Sequence, residues 1–496
     1  MVNLNWKGKE ERIGVLSKKS KSLTFHILDY YPSNRIDPIL EDNWENILIW
    51  GENKTAMNLL LKKYENKISL IYIDPPFATG GDFNLKIQIG EKGKFLDRLA
   101  YKDKWREGLD SYLQFLYERL VLMKKLLSGE GSIYVHLDWH ISHYIKLIMD
   151  EIFGIENFRN EIIWSYPAAS VKTRRFFIRS YDTILFYSKS DDYIFNDDSK
   201  IYMEYSNRVK NALKKDEKGI FYYRGGSHNG KKLSRKVYVE QEGIFPRDVW
   251  HDIPYVRANT SEYQGFSTQK PERLLKRIII ASTNENDLIA DFFCGSGTTL
   301  VVAEKLGRRW IGCDSNRFAV HIARKRILDI SKSKDIFDWK SLYNKDYCPF
   351  RIELIDKINE LKLASDIFFK KSVEINGEVK IKKFPDFNIK IHQRNNEIKI
   401  ELKYYEIDFL DLMSEKVKEK VNSFSDWIDY WSIDFNSKND IFTAIWFSYR
   451  TPKNRSLQLI SNWYKYKKSG NYFVQVKVID IFGIETIKRF EISIIL

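Results

Sequence analysis

The sequence predicts an α/β fold built on a mostly parallel sheet, followed by a β-rich region. Three observations predict it. Short apolar runs alternate with amphipathic stretches through residues 46–164 and again through 268–314, as strands joined by helical crossovers do. Two of the runs end in an aspartate and a turn, "LIYIDPPFATGG" (70–81) and "DLIADFFCGSGTT" (287–299). After about residue 345 the period shortens to two, as in "YFVQVKVIDIFGIETIKRFEISIIL" (472–496), which predicts paired strands in a small sandwich.

The elements follow in order. Residues 1–44 are polar and basic and predict an extension without a strong pattern. "NILIWGENKTAMNLLLKKY" (46–64) predicts a strand, a glycine turn and a helix, and "KISLIYIDPPF" (67–77) a second strand. "GLDSYLQFLYERLVLMKKLLSGEG" (108–131) predicts an amphipathic helix. Its Tyr112, Leu116, Leu120, Met123 and Leu127 recur at helical spacing, and Gly129 is the expected cap. "SIYVHLD" (132–138) reads as a strand and "HYIKLIMDEIFG" (143–154) as a helix. From about Trp164 to Gln264 the pattern lapses into a loop-rich, aromatic and basic stretch. It returns with a helix at 271–282, a strand–turn–helix at 287–307 and the strand "RRWIGCDSN" (308–316). The chain therefore divides into an N-terminal extension (1–44), two halves of one α/β domain (45–164 and 266–335), an inserted region (165–265) and a C-terminal β-rich accessory domain (345–496).

The composition narrows the class. The 496 residues carry a formal charge of +14, which suggests a polyanionic partner. Three cysteines are too few for a disulfide framework, so a reducing compartment is expected. The first residues have no apolar leader, and no segment is long and apolar enough to span a membrane. A cytoplasmic protein is the expectation, with no membrane among its partners.

Two motifs carry chemistry. In Asp74-Pro75-Pro76-Phe77 the prolines fix φ and remove two backbone donors. The result is a stiff lip that offers a carboxylate, carbonyls and an aromatic face. In the second motif the Gly295 and Gly297 turn lets backbone approach a ligand closely. The next strand ends in Asp314, an acid able to accept from ribose hydroxyls. A phosphate-binding loop would need GxxxxGK[ST], and this turn has no lysine. A dinucleotide site would need a third glycine where Leu300 stands. S-adenosylmethionine, which has no pyrophosphate, suits the turn better, and an ordinary tight βα turn is the plain alternative.

Other features have plainer readings. His136, His140 and His143 lack an evident fourth metal ligand and read as surface or packed histidines. Cys294 lies inside the glycine turn and reads as a small packing residue. The tryptophans Trp427, Trp431, Trp446 and Trp463 read as core. Lys172, Arg174, Arg175 and Arg179 interleave with aromatics, and Lys231 and Lys232 form a second basic cluster. Both read as contacts to the polyanionic partner, with a solvated face as the alternative.

Taken together, "DPPF" (74–77), "TQKPERLLKRII" (268–279) and "DFFCGSGTT" (291–299) resemble the β-class DNA amino-methyltransferases, with the catalytic motif before the cofactor motif and target recognition between them. The type III restriction–modification Mod subunits and related solitary enzymes belong to that class. The resemblance spans roughly residues 40–330 and implies a Rossmann-like, S-adenosylmethionine-dependent sheet with an inserted target-recognition region. It implies that Asp74 and the Pro75 carbonyl accept from the target amino group. Phe77, where tyrosine is more usual, would stack on a base flipped out of the duplex. It also implies that Asp291, Phe293, Gly295, Gly297 and Thr298 surround the cofactor, with Asp314 on the ribose. Thr268, Gln269 and Lys270 would line the lip of that pocket, the lysine reaching the methionine carboxylate, and Glu52 or Asn53 would touch the cofactor too. The leading Asp74 points to adenine N6. Methylation of cytosine N4 or of RNA, and a DNA-recognition subunit of a helicase–nuclease complex, are the alternatives. The implied partners are double-stranded DNA and either a second copy of the chain or a restriction or helicase subunit.

Overall fold

A computed structural model describes residues 4–6, 9, 23–33, 44–79, 81–91, 94–102, 108–167, 175, 177–225, 227–228, 231–232, 234–239, 243–266, 268–355, 374–375, 378–379, 385–407, 419–438 and 441–496. Among these, eleven strands form one sheet. Their order is Val249–Trp250, Phe158–Ser165, Tyr181–Ser188, Leu127–Leu137, Ile68–Ile73, Leu288–Asp291, Arg309–Asp314, Asn46–Trp50, Phe350–Ile355, Phe25–Tyr31 and Phe442–Thr443. The six from Leu127–Leu137 to Phe350–Ile355 run parallel.

Parallel strands are buried on both faces, and their side chains alternate between two cores. Leu70 and Tyr72 point into one core, Ile71 and Ile73 into the other. Helices Asn53–Tyr64, Leu109–Leu126 and Ser142–Phe153 cover the second face through residues such as Met57, Leu116 and Ile145. Helices Glu272–Ser282, Thr298–Lys305 and Arg317–Leu328 cover the first through Leu274, Leu300 and Ile327. Adjacent strands Ile68–Ile73 and Leu288–Asp291 thus send their chains to opposite faces. A crevice opens at the carboxyl ends of strands at such a switch point.

Several elements differ from the sequence reading. The helix at 109 ends at Leu126 and passes directly into the strand Leu127–Leu137. Gly129 is therefore a strand residue rather than a cap. Phe25–Tyr31 and Phe350–Ile355, from the segments read as extension and accessory domain, are antiparallel partners inside the central sheet. The loop-rich stretch contributes Tyr181–Ser188, buried along nearly all its length, and the short Val249–Trp250.

The C-terminal region holds a three-stranded sheet (Asp386–Arg394, Glu397–Glu406, Tyr464–Lys465) and a four-stranded one (Trp446–Tyr449, Ile428–Asp434, Gly470–Asp480, Glu485–Ile494). The two share a core that includes Ile400, Trp427, Trp431 and Val476, and Trp446 packs edge-on to Trp431. Trp463 stands apart, half-buried, with the Arg394 guanidinium 4.1 Å from its ring centroid. Buried charge joins this region to the central sheet. Asp29 pairs with Lys477 and lies 3.6 Å from Arg324, while Asp429 pairs with Lys325 and, at 2.8 Å, with His321. Burial pushes the His321 imidazole down to about 4. Removing one partner of such a buried pair typically costs about 3–5 kcal/mol.

Candidate active site

The lip lies at the carboxyl edge of the sheet, straight after Ile73. The Tyr112 hydroxyl donates to the Pro76 carbonyl at 2.7 Å, pinning the lip to the helix that packs beneath it. The Phe77 ring lies over the His136 ring, with centroids 6.2 Å apart and planes 19° apart. Ala78 then turns the chain away at φ +55°, a left-handed conformation that non-glycine residues seldom adopt.

Asp74 has two distinct oxygens. Its Oδ2 accepts from Lys270 Nζ at 2.6 Å, and its Oδ1 is buried without a hydrogen-bond partner among the described residues. The Lys270 ammonium also lies 5.3 Å from the Phe77 ring centroid. This lysine, which the resemblance places on the lip of the cofactor pocket, has its ammonium at Asp74 and over the lip.

Beneath Phe77 is a network that the sequence reading did not assemble. His136 Nε2 is 3.0 Å from Asp182 Oδ2, and His136 Nδ1 is 2.9 Å from the Tyr72 hydroxyl. A carboxylate only accepts, so Nε2 donates to Asp182, and in that tautomer Nδ1 accepts a hydrogen bond from the Tyr72 hydroxyl. The Tyr166 hydroxyl donates to Asp182 Oδ1 at 2.9 Å. Burial raises the Asp182 pKa, but the bond from His136 and the charge of Lys270 outweigh it and hold the carboxyl below its ordinary range. The only sequence signal was His136 itself, whose partner is 46 residues away.

On the other side of the crevice, Gly295 and Gly297 have φ of +49° and +77°. A Cβ on Gly297 would stand 2.9 Å from the Ala323 Cβ, so the turn needs glycine there for space as well as for conformation. Asp291 accepts from the Phe293 N–H at 2.9 Å and from the Thr299 hydroxyl at 2.5 Å. Asp314 accepts from the N–H groups of Gly295 and Asn316 at 2.9 and 2.8 Å. Burial pushes Asp291 up to about 7 and Asp314 up to about 6. A tight glycine turn, a half-buried Phe293 and two strand-end carboxylates fit a group that carries an adenosine and an ammonium but no phosphate.

The remaining expected residues divide. Glu52 caps the helix at Asn53 by accepting from the Lys54 and Thr55 N–H groups, and it pairs with Arg119. Asn53 donates to the Phe292 carbonyl at 2.9 Å. Gln269 braces its own loop, accepting from the Gln264 N–H at 2.8 Å and donating to the Glu262 carbonyl at 2.7 Å. The Thr298 hydroxyl lies 3.2 Å from the Lys270 carbonyl, joining the two halves of the crevice, and accepts from Arg326 at 2.7 Å. Cys294 is buried, and that burial pushes its thiol well above the usual range. Arg175 is exposed, and the Arg179 guanidinium stacks 3.7 Å from the Trp139 ring centroid. Lys172 and Arg174 lie outside the described residues. Lys231 and Lys232 form a short strand paired with Ser227–His228, and their side chains lie outside them too.

Residues 68–325, just over half the chain, match the family model described as DNA methylase, of the N6/N4 methyltransferases. Among curated relatives, the type II methyltransferase M.EcaI of Enterobacter cloacae is 31% identical over 368 residues, covering 66% of this chain and 77% of the relative. The DNA adenine methyltransferase YhdJ of Escherichia coli (strain K12) is 30% identical over 292 residues, covering 59% and 85%. The type II methyltransferase M1.MboII of Moraxella bovis is 33% identical over 267 residues, covering 52% and 88%. The chain therefore belongs to the N6/N4 DNA methylase family and is an S-adenosylmethionine-dependent DNA methyltransferase.

Proposed function

We propose that this enzyme methylates the N6 amino group of adenine at a defined sequence in double-stranded DNA, in a cytoplasmic restriction–modification setting. One observation carries the proposal. The Asp74 carboxylate has one oxygen fixed by Lys270 and the other buried and, among the described residues, without a hydrogen-bond partner, beside the aromatic face of Phe77. An adenine amino group is a poor nucleophile because its lone pair is delocalised into the ring. Asp74 Oδ1 accepts one of its N–H groups and the Pro75 carbonyl accepts the other. Two fixed acceptors draw the nitrogen towards tetrahedral geometry and localise the lone pair, which is catalysis by position and electrostatics. Phe77 stacks on the flipped base, worth about 1–3 kcal/mol. S-adenosylmethionine, when bound, supplies the methyl group. Asp291, Phe293, Gly295, Gly297, Thr298 and Asp314 would hold it, and Lys270 faces the reacting carboxylate rather than serving only the cofactor.

Long-read sequencing of DNA from cells expressing the chain alone tests the proposal. N6-methyladenine at one motif is the expected result; N4-methylcytosine would move the target to the other amino base. The same data show whether one or both strands carry the mark.

Two further results are expected. Asp314→Ala weakens cofactor binding more than DNA binding. In the parent enzyme, cofactor affinity measured by calorimetry declines as the pH drops through about 6, where the raised Asp314 carboxyl takes up its proton and loses acceptor capacity. Undiminished affinity in the variant removes Asp314 from the site. Charge reversal at Arg174 and Arg175 weakens DNA binding and flattens its salt dependence, because each phosphate contact releases counterions. An unchanged salt slope would make the cluster a solvated face.

A further inference from the structure

The chain between the catalytic lip and the helix that pins it makes a long excursion. Asp82–Ile89 and Lys94–Lys102 form an antiparallel hairpin, paired from Asp82↔Lys102 at the root to Ile89↔Lys94 at the tip. The root opens five residues after Phe77 and returns just before the Leu109–Leu126 helix, whose Tyr112 holds the Pro76 carbonyl. One leg of the hairpin thus leaves the lip, and the other precedes the helix whose Tyr112 holds it.

The tip is held elsewhere. Arg455 of the C-terminal region donates from Nε to the Gly90 carbonyl at 3.0 Å and from Nη2 to the Gln88 carbonyl at 2.7 Å. Ile89 is 1% exposed and packs in the C-terminal core. Gly90 has φ +54°, and a Cβ there would stand 2.1 Å from Asp426 Oδ1, so the tip is closely seated. Lys420 donates to the Phe95 carbonyl at 2.7 Å. The grip extends to the other half of the crevice. Arg455 lies 3.8 Å from Asp429, the same carboxylate that pairs with His321 and Lys325 on the helix following Asp314.

We propose that the C-terminal region acts as a strut for the methyl-transfer site, with Arg455 as a positioning residue. By fixing the hairpin tip it sets the lip on the target-base side, and through Asp429 it holds the same reference point for the cofactor side. The inference rests on the methyltransferase reading above. A lip that must hold two acceptors in place tolerates little wobble in the hairpin rooted on it. Arg455 makes two bonds in the fork geometry of a guanidinium, which a lysine reproduces only in part.

The test uses the full chain with Arg455→Ala, Arg455→Lys and Ile89→Ala. The last changes no residue of the C-terminal region and removes the hairpin's own anchor, leaving a cavity where Ile89 packs in that core. Methyl transfer to duplex DNA, cofactor affinity by calorimetry, melting temperature and limited proteolysis within 82–102 are read in parallel. The expected result is a tenfold or greater fall in kcat for Arg455→Ala and Ile89→Ala, with cofactor affinity within about twofold, faster cleavage in the hairpin and partial recovery in Arg455→Lys. If cleavage accelerates while kcat and the KM for DNA stay at parent values, the grip is only architectural and the proposal falls. If Arg455→Ala does not fold, Ile89→Ala decides by the same criteria. A parent enzyme without methyl transfer would overturn the functional reading instead, a failure distinguishable from this one.

Discussion

Asp74→Ala loses methyl transfer by about two to three decades in rate, since positioned electrostatic groups of this kind are worth roughly 3–4 kcal/mol. It keeps both its fold and its cofactor affinity. Asp74 lies at the end of a strand, at the mouth of the crevice, so truncating it leaves no void in either core. It does leave the Lys270 ammonium, 10% exposed, without that carboxylate, so a lowered melting temperature is expected alongside the retained fold. Phe77→Ala lowers DNA affinity and rate together, while Phe77→Tyr keeps the ring and stays near the parent. A tritiated-methyl transfer assay on a duplex bearing the recognised site reads these effects, with calorimetry for the cofactor. Near-parent turnover by Asp74→Ala would sink the mechanism and the adenine assignment with it. Loss of cofactor binding in that variant would put Asp74 on the wrong side of the pocket.

Gly297→Val is the second large effect. At φ +77° an L-residue costs roughly 1–2 kcal/mol. The new side chain also meets Ala323, on a helix packed into the core, and overpacking typically adds about 1–3 kcal/mol. The sum, about 2–5 kcal/mol, is enough to distort the turn. Calorimetry is expected to show cofactor binding abolished, with a lowered melting temperature. Cofactor affinity equal to the parent's would mean that the turn does not form the cofactor site.

What could be read in advance follows from burial. The strands at 46–50, 68–73, 288–291 and 309–314 are largely apolar, and three of them run into an aspartate (Asp74, Asp291 and Asp314), so local sequence identified them and the carboxylates they present. Phe25–Tyr31 and Phe350–Ile355 contain charges that a buried strand should avoid. They are tolerated because Asp29 meets Lys477, 448 residues away, and Glu353 meets Arg351; the first of these partners is invisible to a local pattern. The site shows the same division. Asp74, Gly295 and Asp314 could be picked out from strand-end chemistry. The contact of Lys270 with Asp74 spans 196 residues, and the seat of Phe77 on His136 depends on Asp182 from a strand the pattern missed.

The parallel pairing of Phe442–Thr443 with Asp29 and Tyr30 has a consequence for synthesis. Loop-closure entropy must be overcome before such a contact stabilises anything, and pairings this distant in sequence fold slowly. On the ribosome the Phe25–Tyr31 edge cannot be completed until residues beyond 440 have emerged. At roughly 5–20 residues per second, that strand and the buried Asp29 beside it wait tens of seconds for their partners. An unpaired strand edge is a template for wrong pairing. The nascent chain therefore passes through an interval in which the Phe25–Tyr31 edge stands open to wrong pairing, and slowing synthesis ahead of residue 442 is expected to lower the soluble yield.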